Sequence, residues 1–102
     1  MNLTVTDARD RHRFEVWVDG KLAGFADYIR CDGVIVFPHT EVDPAFEGQG
    51  VGGALARAAL DDAAARGKAV RALCPFMAGW IARHPAYEHL KERAGSGGED
   101  PA

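Results

Sequence analysis

Cysteine is scarce in this sequence, with Cys31 and Cys74 the only two among 102 residues. Lacking the close pairing of a zinc knuckle, they exclude a metal-stapled finger, and they are too few for a disulfide-dense secreted fold. Both are expected to be reduced thiols. Long hydrophobic runs are missing too: no stretch approaches the about 18 apolar residues of a membrane span. The start, Met1-Asn2-Leu3-Thr4-Val5-Thr6-Asp7, has neither the basic opening nor the apolar centre of a secretory signal. The expectation is a soluble, cytoplasmic protein that does not engage a membrane. Nor is there an excess of charge of one sign. With 26% charged residues and a formal net charge of −3, the chain has no broad electrostatic grip for nucleic acid, and any anion it binds must be held locally. No internal repeat is visible. A chain of this length has room for one core, and an apolar content of 47% is enough to build it.

What is present reads first as strands. From Arg13 to Val18, the residues Phe14, Val16 and Val18 alternate with Arg13, Glu15 and Trp17, the period of a half-buried strand. Asp19-Gly20 supplies a hairpin turn, and Lys21 to Arg30 returns as a strand whose packing face is thin at Gly24 and Ala26. Asp32-Gly33 turns the chain again. Val34-Ile35-Val36-Phe37 opens a strand that extends through His39, Thr40 and Glu41 to Val42, with Pro38 at a bulge or edge because it lacks an N–H donor. Asp43-Pro44 ends it. The antiparallel meander has three or four strands, depending on whether Leu3-Thr4-Val5 also pairs.

The period then becomes helical from about Gly50 to Arg66, with Val51, Leu55, Ala58 and Ala59 on one side and Asp62 four residues before Arg66. Gly67 is a C-terminal stop. Ala69 to Cys74 reads as a short strand, so the strand-helix-strand run closes as a crossover between parallel strands. A second helix from Phe76 to Arg83 breaks at His84-Pro85, and Tyr87 and Leu90 carry a last apolar turn. The predicted class is α+β (mixed α/β), an antiparallel meander followed by a parallel strand-helix-strand unit, with the helix on one face of a mixed sheet. Residues 1–94 form the one predicted domain, and 95–102, with nothing to bury, a disordered tail.

Between the strand end and the helix start stand Gly48, Gly50, Gly52 and Gly53. The first N–H groups of a helix have no intrahelical partner, its dipole favours an anion, and glycines let the backbone approach that anion closely. This is phosphate-binding chemistry. The Walker pattern is absent, since no Gly-Lys-Ser/Thr follows, and a dinucleotide fold fails for want of an opening parallel unit and a ribose-binding acid. The structural alternative is a flexible turn that feeds a helix.

In this order of elements, the segment Val42-Asp43-Pro44-Ala45-Phe46-Glu47-Gly48-Gln49-Gly50-Val51-Gly52-Gly53-Ala54-Leu55 resembles the core of the GCN5-related N-acetyltransferases (GNAT), and looks closest to their small one-domain branch. The resemblance covers about residues 12 to 90. In the family this loop reads Arg/Gln-x-x-Gly-x-Gly/Ala and cradles the coenzyme A pyrophosphate. It implies that Gly50 and Gly52 are the two small motif residues, that Gly48, Gln49, Val51 and Gly53 line the same turn, and that backbone groups of Glu41 and Val42 meet the pantetheine arm. Glu47 stands where the family has Arg or Gln, and the two helices that usually shape an acceptor pocket between the first strands are missing.

The resemblance also implies positions near the thioester for His39 and Cys74. A neutral imidazole can take a proton from an ammonium acceptor, so His39 is the candidate general base; the alternative is a hydrogen-bonded histidine beside Phe37. Cys74 could protonate the departing thiolate or carry the acetyl group, or simply fill space. Tyr87 is a lesser proton-donor candidate, and Cys31 an exposed thiol. Trp80 and Ile81, at helical spacing from Phe76 and Met77, read as core. Arg57, Arg66, Lys68 and Arg83 could meet an adenosine phosphate or be solvated surface charge. The function implied is transfer of acetyl from acetyl-CoA to an amine on a small molecule or peptide, with no metal. The alternatives are a non-catalytic CoA-binding module and an interaction domain. A monomer and a homodimer are both compatible with exposed strand edges.

Overall fold

The computed structural model describes residues 2–92. The segment 95–102, expected to be a tail, lies outside the described residues. A single sheet of order β1-β2-β3-β4-β5 is formed by Leu3–Ala8, Arg13–Val18, Lys21–Cys31, Val34–Val42 and Ala69–Ala72. The first four strands are antiparallel and β5 pairs parallel to β4. Leu3-Thr4-Val5 therefore does pair, opposite Val18, Trp17 and Val16, and the meander has four strands. Asp19 and Gly20 take φ of 50° and 83°, the left-handed pair that a tight hairpin requires. Between β1 and β2 the chain makes only a short turn, Arg9–Arg11.

Helix α1, Val51–Ala65, connects the two parallel strands, and α2, Pro75–Arg83, follows β5. Lys68 N–H reaches back to the Ala63 carbonyl and Gly67, at φ 68°, turns the chain out of α1. Asp62 and Arg66 form the expected pair at 3.0 Å. Both helices pack on one sheet face: Phe14, Val16, Val18 and Phe37 meet Leu55, Leu60, Met77 and Ile81 in a single core. The thin face of β3 is matched rather than left hollow, because α1 lies over β3 and its own buried positions include Ala56, Ala59 and Ala63.

Two irregularities shape the carboxyl end of β4. Asp27 pairs with His39 but Ile29 pairs with Val36, so Phe37 and Pro38 together stand opposite Tyr28 in a bulge. Side-chain parity flips there. Phe37 faces the core, and after the bulge it is Thr40 and Val42 that turn toward the helices, while His39 and Glu41 join Phe25 on the uncovered face.

The second irregularity is the early end of β5, at Ala72 rather than Cys74. Leu73 and Cys74 N–H both donate to the Phe37 carbonyl at 3.1 Å. A parallel ladder uses every second residue, so the next donor would be residue 75, and Pro75 has none. From His39 to Val42 the far edge of β4 has no strand beside it among the described residues, and a gap opens between that edge and Cys74.

Candidate functional site

The gap and the glycine loop meet in a cavity of about 450 Å3 lined by Thr40, Val42, Phe46, Glu47, Gly48 and Phe76, together with Gly50 to Gly53. Asp43 shapes the entry, since its carboxylate accepts from Ala45 N–H at 2.9 Å and starts the turn Pro44–Phe46. Gly48 and Gly50 then take φ of 82° and 77°, where a side chain would be strained. Gly50 is the N-cap of α1, and no side chain caps that end. The first intrahelical bond runs from Ala54 N–H to the Gly50 carbonyl. The N–H groups of Val51, Gly52 and Gly53 precede it, and those of Gly48, Gln49 and Gly50 find no acceptor among the described residues. Five of these six residues, Gly48 and Gly50 to Gly53, line the cavity at the positive end of a helix dipole.

Gly52 is glycine for a packing reason as well. A Cβ there would lie 2.9 Å from Cζ of Phe76, so the Phe76 ring rests directly on the first turn of α1 and closes one side of the cavity.

The strand side follows from the ladder. Asp43 N–H bonds to the Ala23 carbonyl and the register pairs Glu41 with Phe25, so alternation spends the backbone of Glu41 on β3 and directs that of Thr40 and Val42 into the gap. Glu41 points its side chain to the uncovered face, where a carboxylate oxygen lies 2.8 Å from His39 Nε2. The His39 side chain is 54% exposed, with the Phe25 ring 6.1 Å away. Cys74 is 3% exposed, and its Sγ is 3.2 Å from Oγ1 of Thr40, which does line the cavity.

Of the residues singled out in the sequence, Val42, Gly48, Gly50, Val51, Gly52 and Gly53 come together around the cavity, and Gln49 lies on the loop outside its lining. His39 and Glu41 sit on the other face of β4, and Cys74 lies behind Thr40. Thr40, Phe46 and Phe76 were missed as lining residues. For Thr40 the available signal was Pro38, since a bulge at a strand proline exchanges which residues face inward. Tyr87 donates to Asp61 at 2.9 Å and is not part of the lining. Cys31 is exposed at the end of β3. Among the described residues no cluster of His, Cys, Asp or Glu could hold a metal, and no helix is long and apolar enough to cross a membrane.

Among the described residues the uncovered face has one buried charge. Glu15, 3% exposed, receives Arg13 Nε at 2.8 Å and Arg11 at 3.0 Å. Burial pushes its carboxyl up, but the hydrogen bonds and charge of Arg13 and Arg11 prevail and hold it below the usual carboxylate range.

Residues 13–90 match the family model described as GCN5-related N-acetyl-transferase. Among solved structures, a GCN5-like protein from Staphylococcus aureus shares the fold with a TM-score of 0.70 at 22% identity, covering 89% of both chains. The ribosomal-protein-S18-alanine N-acetyltransferase of Escherichia coli is similar at 28% identity and TM-score 0.60 over 72% of this chain, which spans 49% of the enzyme's length. AAC(6')-Iy, solved with the bisubstrate analogue CoA-S-monomethyl-acetylneamine, has a TM-score of 0.52 at 23% identity over 79% of this chain and 61% of its own. No curated protein sequence matches.

Proposed function

Since the chain belongs to the GCN5-related N-acetyltransferase family, we propose that it transfers an acetyl group from acetyl-CoA to an amine. The observation that carries the reading is the row of backbone donors from Gly48 to Gly53 at the mouth of α1, which find no acceptor among the described residues, beside a strand edge with no strand neighbour among them. The cradle fits the cofactor: Gly48 and Gly50 line the cavity in conformations that glycine favours, beside the uncapped N-terminus of α1, and a diphosphate needs backbone donors of this kind. When bound, acetyl-CoA supplies an acetyl group already activated as a thioester.

The chain's own residues would then divide the work. The loop N–H groups from Gly48 to Gly53 bind the diphosphate, and the backbone of Val42 and Thr40 holds the pantetheine arm in the gap and orients it. Phe76 keeps water from one side. On the uncovered face, Glu41 accepts from His39 Nε2–H, which leaves Nδ1 free to take a proton from an ammonium acceptor. Thr40 Oγ1 lies between the cavity and the Cys74 thiol, a route by which the thiol proton could reach the thiolate side. Proximity and polarisation of the carbonyl by strand-edge N–H groups supply the rest.

The test is thermal unfolding with CoA and acetyl-CoA, followed by turnover against an amine panel. A ligand at about a hundred times its dissociation constant adds about 2.7 kcal/mol of stability, and His39→Ala is expected to slow turnover by roughly two orders of magnitude with CoA binding intact. No thermal shift at saturating ligand would remove the cofactor reading. A second reading, a CoA-binding module without turnover, is supported by the three-residue turn Arg9–Arg11, which leaves the sheet face around His39 without a covering element among the described residues. Ligand stabilisation without turnover on any amine of the panel would favour it.

A further inference from the structure

The cavity leaves an electrostatic imbalance. Among the described residues Glu47 is the only charged side chain in its lining, whereas a diphosphate is a dianion and the helix dipole contributes only about half an elementary charge. A cation and further donors are needed, and the wall behind Gly53 carries both.

Trp80 follows Phe76 by one turn of α2 and is 4% exposed. A Cβ on Gly53 would come 3.7 Å from its Nε1, so the N–H edge of the indole abuts the bare side of a glycine that lines the cavity. That N–H has no acceptor among the described residues, although buried donors are normally paired. The other polar partners around Trp80 are already spent: His84 stacks on the ring at 3.7 Å and its Nδ1 bonds the Trp80 carbonyl. Arg57, one turn beyond Gly53 on α1, is exposed and places its guanidinium 5.4 Å from the centre of the same ring. Its polar contact among the described residues is a long 3.4 Å approach to the Tyr87 hydroxyl, which leaves most of its donors free.

We propose that Trp80 and Arg57 complete the anion site: the indole N–H donates to a phosphate oxygen of the ligand seated at the N-terminus of α1, with the guanidinium beside it. Gly53 is glycine because a side chain there would stand between the indole and the ligand. The proposal rests on the cavity being the phosphate site of the cofactor, and it makes Trp80, which reads from spacing as core alone, a ligand-contacting residue. The phosphate oxygen belongs either to the diphosphate or to the ribose 3′-phosphate.

The test is calorimetric titration of the whole protein with CoA, 3′-dephospho-CoA and inorganic pyrophosphate, in the unaltered chain and in Gly53→Ala, Arg57→Ala and Trp80→Phe. Gly53→Ala is the decisive variant. Its methyl makes an ordinary contact and alanine is the better helix former, so its Tm is expected to hold or rise while its Kd for CoA rises about tenfold. Arg57→Ala is expected to weaken CoA by a similar factor and to reduce the dependence on salt. Equal losses toward CoA and 3′-dephospho-CoA assign the contact to the diphosphate, and losses confined to CoA assign it to the 3′-phosphate; either supports the proposal. Unchanged CoA affinity in Gly53→Ala and Arg57→Ala overturns it and leaves the cofactor reading standing. If the unaltered protein binds neither CoA nor pyrophosphate, both fall together.

Discussion

Glu47 puts a carboxylate in a cavity whose backbone donors suit an anion, and nothing in the described residues neutralises it. Replacing it by Gln removes one like charge from the phosphate path without touching the core. At a separation of about 4 Å in a water-exposed setting such a charge costs about 1 kcal/mol. Glu47→Gln is therefore expected to tighten CoA several-fold, more at low salt than at high, with Tm unchanged; calorimetry at two ionic strengths checks it. Single residues were legible in the sequence where their role depends on backbone freedom. Positive φ was expected of the glycine loop, and Gly48 and Gly50 do adopt it; taken alone the loop also reads as a flexible turn, and it was the order of elements around it that pointed to an anion site. His39 was expected near the thioester, and its side chain lies on the other face of β4, since a side chain's face depends on the count of residues from the core and the Phe37-Pro38 bulge shifts that count by one; Glu41 was expected to offer backbone groups, which the ladder spends on β3. The same shift hid Thr40.

At the scale of elements, α1 and α2 touch through two successive glycines and two aromatic rings one turn apart, Gly52 against Phe76 and Gly53 near Trp80. The pairs differ in tolerance. A methyl on Gly52 would meet Phe76 Cζ at 2.9 Å, so Gly52→Ala is expected to push the ring into the cavity and weaken CoA by about tenfold or more, since a bound arm and a displaced ring compete for one space. The double variant Gly52→Ala with Phe76→Leu should recover most of the affinity; failure to recover would show that Gly52 matters for its backbone alone. Element types and order were readable because strand and helix periods differ sharply in this chain. The end of β5 was not: Leu73 and Cys74 continue the strand pattern, and only the rhythm of the ladder, which makes residue 75 the next donor, excludes them.

For the molecule as a whole, the sheet has one face under helices and one largely bare, and Glu15 is the charge buried on the bare side. Its carboxyl sits below the usual carboxylate range in the folded protein and in that range when unfolded. The stability this adds is complete above the unfolded value and is lost as pH falls through the folded one. Glu15→Gln is thus expected to lower the urea midpoint at neutral pH and to flatten its fall between neutrality and about pH 3, measured by urea unfolding across that range. A parallel fall in both proteins would count against the pairing with Arg13 and Arg11 as a source of acid sensitivity. The parting of β4 from β5 carries a further consequence. It arises where the next ladder position is a proline that cannot donate, next to a bulge in β4, both features of the folded chain itself, so the opening exists before any ligand arrives. Association then requires no strand separation and no refolding of the sheet, and the protein should behave toward its cofactor as a preorganised receptor, with a fast on-rate set by encounter rather than by opening.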